Sequence, residues 1–300
     1  MSIGSADAAL PLPLPPVTPG PVSRAGRRRG FWGRAVRSPT FMAGAVLTGL
    51  LVLTFALTPL ISPYSPDHQD LFRILQGPSA RHLLGTDELG RDELSRLLWA
   101  GRTDLLVGVL AVVFPFCLGT VLGTLAGFYG GWLETAIMRL VDVLIAFPFY
   151  VLVIALVFVA GTGINGIFIA FAVADWVVYA RIVRSATLVV RQSDYVAAAR
   201  TGGVGDLRVM LGHVLPNTVT QAIVYSMSDI VLVIVAVVTL GYLGLGVQPP
   251  TPDWGAMISD GQQFLTTRWE LATFPGLAVV LTGIGLSLLG DGLAEVLRPQ

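Results

Sequence analysis

Long stretches of this chain run without one charged side chain. No Asp, Glu, Lys or Arg occurs in 38–66, 105–133, 143–174, 209–228, 230–252 or 271–290. A hydrocarbon core about 30 Å thick takes about 20 mostly apolar helical residues to cross. Each gap can therefore hold a span, and some hold loops as well. The pattern predicts six transmembrane helices, at 41–62, 104–128, 134–160, 165–187, 217–245 and 272–290. The apolar runs are continuous, whereas barrel strands alternate apolar and polar over about ten residues, so helices are preferred to a barrel.

Composition agrees with an all-α integral membrane protein. Of 300 residues 54% are hydrophobic and 13% charged, and mean hydropathy is +0.73. A water-soluble domain of this size is not so apolar. Residues 1–38 read as a disordered, Pro- and Arg-rich cytoplasmic N-terminus that cannot bury a core. The first helix with an extracytoplasmic segment fills 39–103, and a core of five helices with a polar loop at 188–216 fills 104–300.

Every basic residue is an arginine, and their distribution sets the expected orientation. "RAGRRRGFWGRAVR" stands directly before the first span, which by the positive-inside rule places the N-terminus in the cytoplasm. The span then acts as an uncleaved signal anchor, and it accounts for the cluster better than nucleic-acid binding does. Six spans return the C-terminus to the cytoplasm. Thirteen arginines then fall inside and six outside, namely Arg73, Arg81, Arg91, Arg96, Arg102 and Arg268, as the rule requires.

The missing lysine also excludes chemistry. A Walker loop needs its Gly-Lys-Ser/Thr and a Schiff-base enzyme needs its amine. The single Cys117 excludes an internal disulfide or a CxxC centre. His68, His82 and His213 are scattered, no HExxH occurs, and no Ser/His pair falls within a span. The chain is read as non-catalytic, with no metal site.

Several polar features stand out against the apolar background. Asp92 and Arg96 are spaced as an i,i+4 pair at the entry to the second span, and Arg139 and Asp142 as an i,i+3 pair in the third. "LGYLGLGVQPPTPDWGAMISDG" at 240–261 reads either as a pore-lining loop or as an exposed turn with Trp254 as an interfacial anchor. Asp175 and Asp229 lie in or near spans, where an acid costs about 2.5–3.5 kcal/mol. Such acids face a bundle interior or a water-filled cavity, so Asp229 is the candidate for lining a translocation path, and an internal hydroxyl or arginine partner is the alternative. A secondary transporter or channel would have to use these same two acids.

The stretch "YVAAARTGGVGDLRVMLGHVLP", 195–216, lies between two spans on the expected cytoplasmic side. Its alanines favour a short helix that Gly202 and Gly203 end. Asp206 is placed to N-cap a second helix whose stripe is Leu207, Met210, Leu211, Val214 and Leu215. Ala197, Ala198 and Ala199 leave a face over which another protein could pack, and lipid headgroups are the alternative neighbour.

This stretch resembles the EAA loop of ABC importer permeases. Ala197, Ala198 and Ala199 occupy the triplet, Gly203 the glycine, His213 the hydrophobic position, and Leu215 and Pro216 the closing pair. Ala197 replaces the family's usual glutamate. "LGTDELGRDELSRLL", "MRLVDVLIAFP", "YARIVR" and "FPGLAVVLTGIGLSLLGDGL" extend the resemblance to the C-type permease of dipeptide and oligopeptide importers. The resemblance implies a type I importer bundle in the bacterial cell membrane. It implies as partners a homologous second permease, two ATP-binding subunits that hold the ATP and magnesium, and an extracytoplasmic peptide-binding protein. It makes Tyr195, Ala197, Ala198, Ala199, Arg200, Gly203, Leu207, Leu211, Leu215 and Pro216 the surface that couples to the ATPases. Dipeptides, longer or modified peptides, nickel chelates and haem all remain open as cargo.

Overall fold

The computed structural model describes residues 31–297. The expectations for the Pro-rich tail, for Arg24, Arg27, Arg28 and Arg29, and for Arg298 lie outside the described residues. Within them the chain is helical, and its one β-bridge, between Thr86 and Asp92, is isolated.

A short α1 (Phe31–Ala35) leads to α2 (Pro39–Ala56), which starts where Ser38 accepts the Phe41 N–H at 3.2 Å and Pro39 fills the first turn. After α3 (Thr58–Ile61) and an irregular segment comes α4 (Glu93–Tyr129), 37 residues capped by Asp92 and ended by Gly130 at φ +69°. It begins eleven residues before the expected 104, because the cap at Asp92 lets the polar first turns join the span. Then follow α5 (Gly131–Ile145), α6 (Phe149–Ala160), α7 (Ile164–Ala174) and α8 (Trp176–Val190). Two short helices, α9 (Asp194–Thr201) and α10 (Asp206–Val209), lead through a π-helical turn, Met210–Val214, into α11 (Leu215–Tyr242). The chain closes with α12 (Trp254–Gly261) and α13 (Glu270–Leu297).

The expected third span is not one straight helix. α5 and α6 meet at 92°, at Pro148, whose ring removes an N–H donor and disfavours helix in the residue before it. The pair still crosses the bundle once. Glu134, near the start of α5, lies beside Arg184 in the second half of α8, whereas Gly163, just past α6, donates to Leu245 beyond the far end of α11. The fourth span is jointed too, at Asp175 between α7 and α8. Counting each jointed pair once, the described residues make six crossings.

Close approach between helices depends on glycine, as it does where lipid offers no hydrophobic force between spans. Gly119, Gly123 and Gly127 of α4 lie against the backbone or side chains of Trp176, Ala180 and Thr187 on α8, where a Cβ would have no room. Gly44 and Gly292 do the same for α2 against α13. Ser38 Oγ also donates to Glu295 at 2.6 Å, which brings the start of α2 and the end of α13 together at the end that carries 194–214, called here the inner end.

Candidate coupling surface and membrane path

At the inner end, α9 stops at Gly202 and the chain turns at Gly203, whose φ of +81° an L side chain rarely adopts. The turn closes with the Gly203 N–H on Arg200 O at 3.0 Å and the Val204 N–H on Ala199 O at 3.1 Å. Val196, Val209, Met210 and Val214 bury against Phe128 at the foot of α4. Arg200 lies over the Phe128 ring at 4.8 Å and pairs with Asp206 at 3.3 Å. Arg191 donates to the Gly127 carbonyl at 2.8 Å, at the end of α4 where carbonyls lack helical partners. An open cleft of about 650 Å³ is lined by Phe128, Tyr129, Arg191, Gln192, Arg200 and Asp206.

The expected helix, elbow and second helix are all present, with two corrections. Gly205 takes the cap position of α10, and Asp206 sits in its first turn with its carboxylate drawn to Arg200 instead of capping. The expected apolar stripe is split: Met210 and Val214 are buried with Val209, while Leu207 and Leu211 are 61% and 52% exposed. The π-helical turn changes the helical phase, so 207 and 211 leave the face that 210 and 214 share. Tyr195, Ala197, Ala198, Arg200, Gly203 and Pro216 are also exposed, and Ala199 and Leu215 are half-buried.

The two residues expected to line a path, Asp229 and Trp254, are covered in this conformation. Asp229 is buried, accepting from the Tyr179 hydroxyl at 2.7 Å and from Tyr225 at 3.4 Å. Its partners are the hydroxyls of the alternative reading, which satisfy a carboxylate surrounded by aliphatic side chains. Trp254 is wholly buried, neither in a pore wall nor at an interface. Its backbone N–H donates to Asp104 at 2.9 Å, its ring N–H to Leu97 O at 3.2 Å, and its ring meets Phe55 edge-on.

The open faces of the spans differ in chemistry. On α4 the exposed Leu106, Leu110, Val113, Phe114 and Val121 are apolar. On α11 the exposed positions include Asn217, Gln221 and Ser228, a polar stripe at i, i+4 and i+11. Its helical period is legible in the sequence, and Asp229 lies one residue off that face. Asp142 bonds Arg181 of α8 at 2.9 Å instead of the expected Arg139, because α5 lies alongside α8.

The outer end is tied together from within. Asp87 Oδ2 accepts Arg91 Nε at 2.6 Å and also Arg96 Nη1, while its Oδ1 accepts the Leu89 and Arg91 N–H groups at 2.9 Å. Arg96 therefore pairs with Asp87, not with the expected Asp92. Asp92 instead caps α4, accepting Ser95 N–H at 2.8 Å, and pairs with His82 at 2.9 Å. These side chains are buried, so the expected solvated entry is a packed cap. Arg268 ties the connector before α13 to this cap by donating to the Leu75 and Gln76 carbonyls and to Glu270 at 2.7 Å. Asp253 caps α12 through the Ala256 N–H at 3.0 Å, and burial pushes its carboxyl up to about 6. Burial raises Glu88 as well.

Comparison with known proteins fits this architecture. Residues 119–300 match the family described as binding-protein-dependent transport system inner membrane component. Residues 27–78 match the N-terminal TM domain of oligopeptide transport permease C. The glutathione transport system permease protein GsiD of Pectobacterium atrosepticum is 38% identical over 273 residues, 91% of each chain. GsiD of Escherichia coli O6:K15:H31 is 41% identical over 271 residues, 90% of this chain and 89% of the relative.

Proposed function

This chain belongs to the inner-membrane components of binding-protein-dependent transport systems, and on that premise we propose that it passes peptide-like cargo into the cell. It is a multi-pass inner-membrane protein and a non-catalytic permease subunit of an ABC importer. The likeness to glutathione permeases supports a small peptide of that size, and dipeptides or longer peptides share its chemistry.

The permease pairs with a homologous second permease, and two ATP-binding subunits hold the ATP and magnesium. A peptide-binding protein delivers cargo to the outer end, and both chain termini face the cytoplasm. The observation that carries this reading is the helix–elbow–helix at 194–214. It stands outside the bundle with Tyr195, Leu207 and Leu211 exposed, an apolar surface that a partner would cover. Alternating access is then a rocking of two packed bundles driven through this element. A secondary transporter loses support, because Asp229 is engaged by two tyrosines.

Expressed with its neighbouring genes, the chain should co-purify with two ATPases and a second permease and take up labelled glutathione or dipeptide only with ATP. A protein that is monodisperse alone and transports without ATP overturns the reading. Gly203→Val tests the elbow. The forced left-handed conformation costs about 1–2 kcal/mol, so the turn should deform and ATP hydrolysis should continue while uptake falls at least fivefold. Unchanged coupling removes the elbow from the mechanism.

A further inference from the structure

An exposed ion pair lies about halfway along the height of the bundle. Arg181 of α8 donates to Asp142 of α5 at 2.9 Å, yet the two side chains are 50% and 60% exposed. Arg181 precedes by ten residues Arg191, which closes the inner end of α4. At 1.5 Å per residue it stands about 15 Å above that end, half the thickness of a core about 30 Å across. Tyr179, two residues away, reaches Asp229 at similar depth.

Ionised side chains at this depth face a bundle interior or a water-filled cavity, not lipid. This pair does not face the interior of its own bundle. α8 turns Ala180, Val183 and Thr187 toward the α4 glycines, and α5 turns Val141 toward Trp176 and Val177. Asp142 and Arg181 lie on the open side. The α11 stripe at Gln221 and Ser228 is also open and polar, and Tyr179 and Tyr225 join α8 to α11 at 5.0 Å.

We propose that Arg181 and Asp142 line the water-filled path and meet the charged ends of passing peptide-like cargo, Arg181 a carboxylate and Asp142 an ammonium. The inference rests on the permease reading. An exposed pair binds weakly, so each partner can exchange the other for a cargo group and take it back afterwards. Lipid or the second permease are the other occupants of this face.

The test uses the assembled importer in nanodiscs, with Cys117 replaced by serine and single cysteines at Asp142→Cys, Arg181→Cys and, as a lipid-facing control, Val113→Cys. A sulfonated methanethiosulfonate reagent should modify the first two at least tenfold faster than the control. Rates no faster than the control mean that lipid or protein covers the pair and overturn the proposal. Separately, Arg181→Gln should leave co-purification with the ATPases and thermal stability unchanged, lower maximal uptake about tenfold, and not alter the concentration of binding protein needed. Arg181→Lys should retain most of the uptake. Wild-type uptake by Arg181→Gln, or a loss explained by failed assembly while the Asp142→Cys importer is not labelled, also overturns it. An unmutated chain that brings down no ATPase defeats the permease reading instead, a distinct result.

Discussion

At the outer end, one carboxylate, Asp87, receives two arginines and two backbone N–H groups, and Arg268 reaches back across the chain to Leu75 and Gln76. At the inner end, two short helices rest on a small apolar cluster around Phe128, and their outward side chains include Tyr195, Leu207 and Leu211. The outer cap finds the partners of Asp87, Asp92 and Arg96 within itself. The inner element leaves apolar surface to be covered by something else. A region that completes itself resists change on its own, whereas one that awaits a partner tolerates substitution until the partner is tested.

The sharpest way to break this contrast is at Asp87. Asp87→Ala leaves the half-buried Arg91 and the buried Arg96 charged and without their main acceptor. Removing one member of a buried pair costs about 3–5 kcal/mol. Thermal unfolding in detergent should show a large drop in midpoint, and a change below about 1 kcal/mol would mean that solvent or Asp260, 4.0 Å from both arginines, compensates.

A smaller effect at the same end depends on pH. The Asp253 carboxyl lies at about 6 in the folded chain against 3.8 for the free group. The folded state therefore holds this proton more tightly than the unfolded one. Its contribution favours folding at low pH, declines as pH rises from about 4 to about 6, and is constant above that, a change on the order of 3 kcal/mol. Asp253→Asn keeps a side-chain oxygen for the Ala256 N–H and should flatten that part of the curve, as differential scanning fluorimetry across pH 4–8 would show. An unchanged slope assigns it to Glu88 or another raised acid.

The two ends also differed in how legible they were. Apolar length against the bilayer revealed the six crossings, because solvent imposes that requirement residue by residue. Alanine propensity and paired glycines revealed the elbow at 202–203, because both act locally. The outer cap could not be read in this way. Asp104 meets Trp254, and Arg268 meets Leu75, only after the bundle has formed, and spacing alone suggested the nearer partner for Arg96 and for Asp142. Asp229 was legible in part: its cost in the membrane and its need for an internal partner can be read from the sequence, but the two tyrosines that bond it lie on another turn and another helix. The polar stripe on α11 is local in the same sense as the elbow, since Asn217, Gln221 and Ser228 share one helical face by spacing alone.

The smallest expected effect is the most informative about the inner end. Leu207→Ala and Leu211→Ala remove side chains that already face outward, so the isolated chain loses little burial and its stability should change by less than about 0.5 kcal/mol. In the assembled importer the same truncations should weaken retention of the ATPases, because apolar anchors at an interface centre contribute more than 1 kcal/mol each when covered. The paired measurement is thermal stability of the chain alone against ATPase recovery on affinity purification. Met210→Ala, buried beneath the same element, is the inverse control, since it should lower stability by about 2–5 kcal/mol. If the exposed leucines lower stability as Met210 does, the inner end is self-completing like the outer one. If neither readout moves, the ATPases dock elsewhere, and the exposed surface at 207–211 has another neighbour.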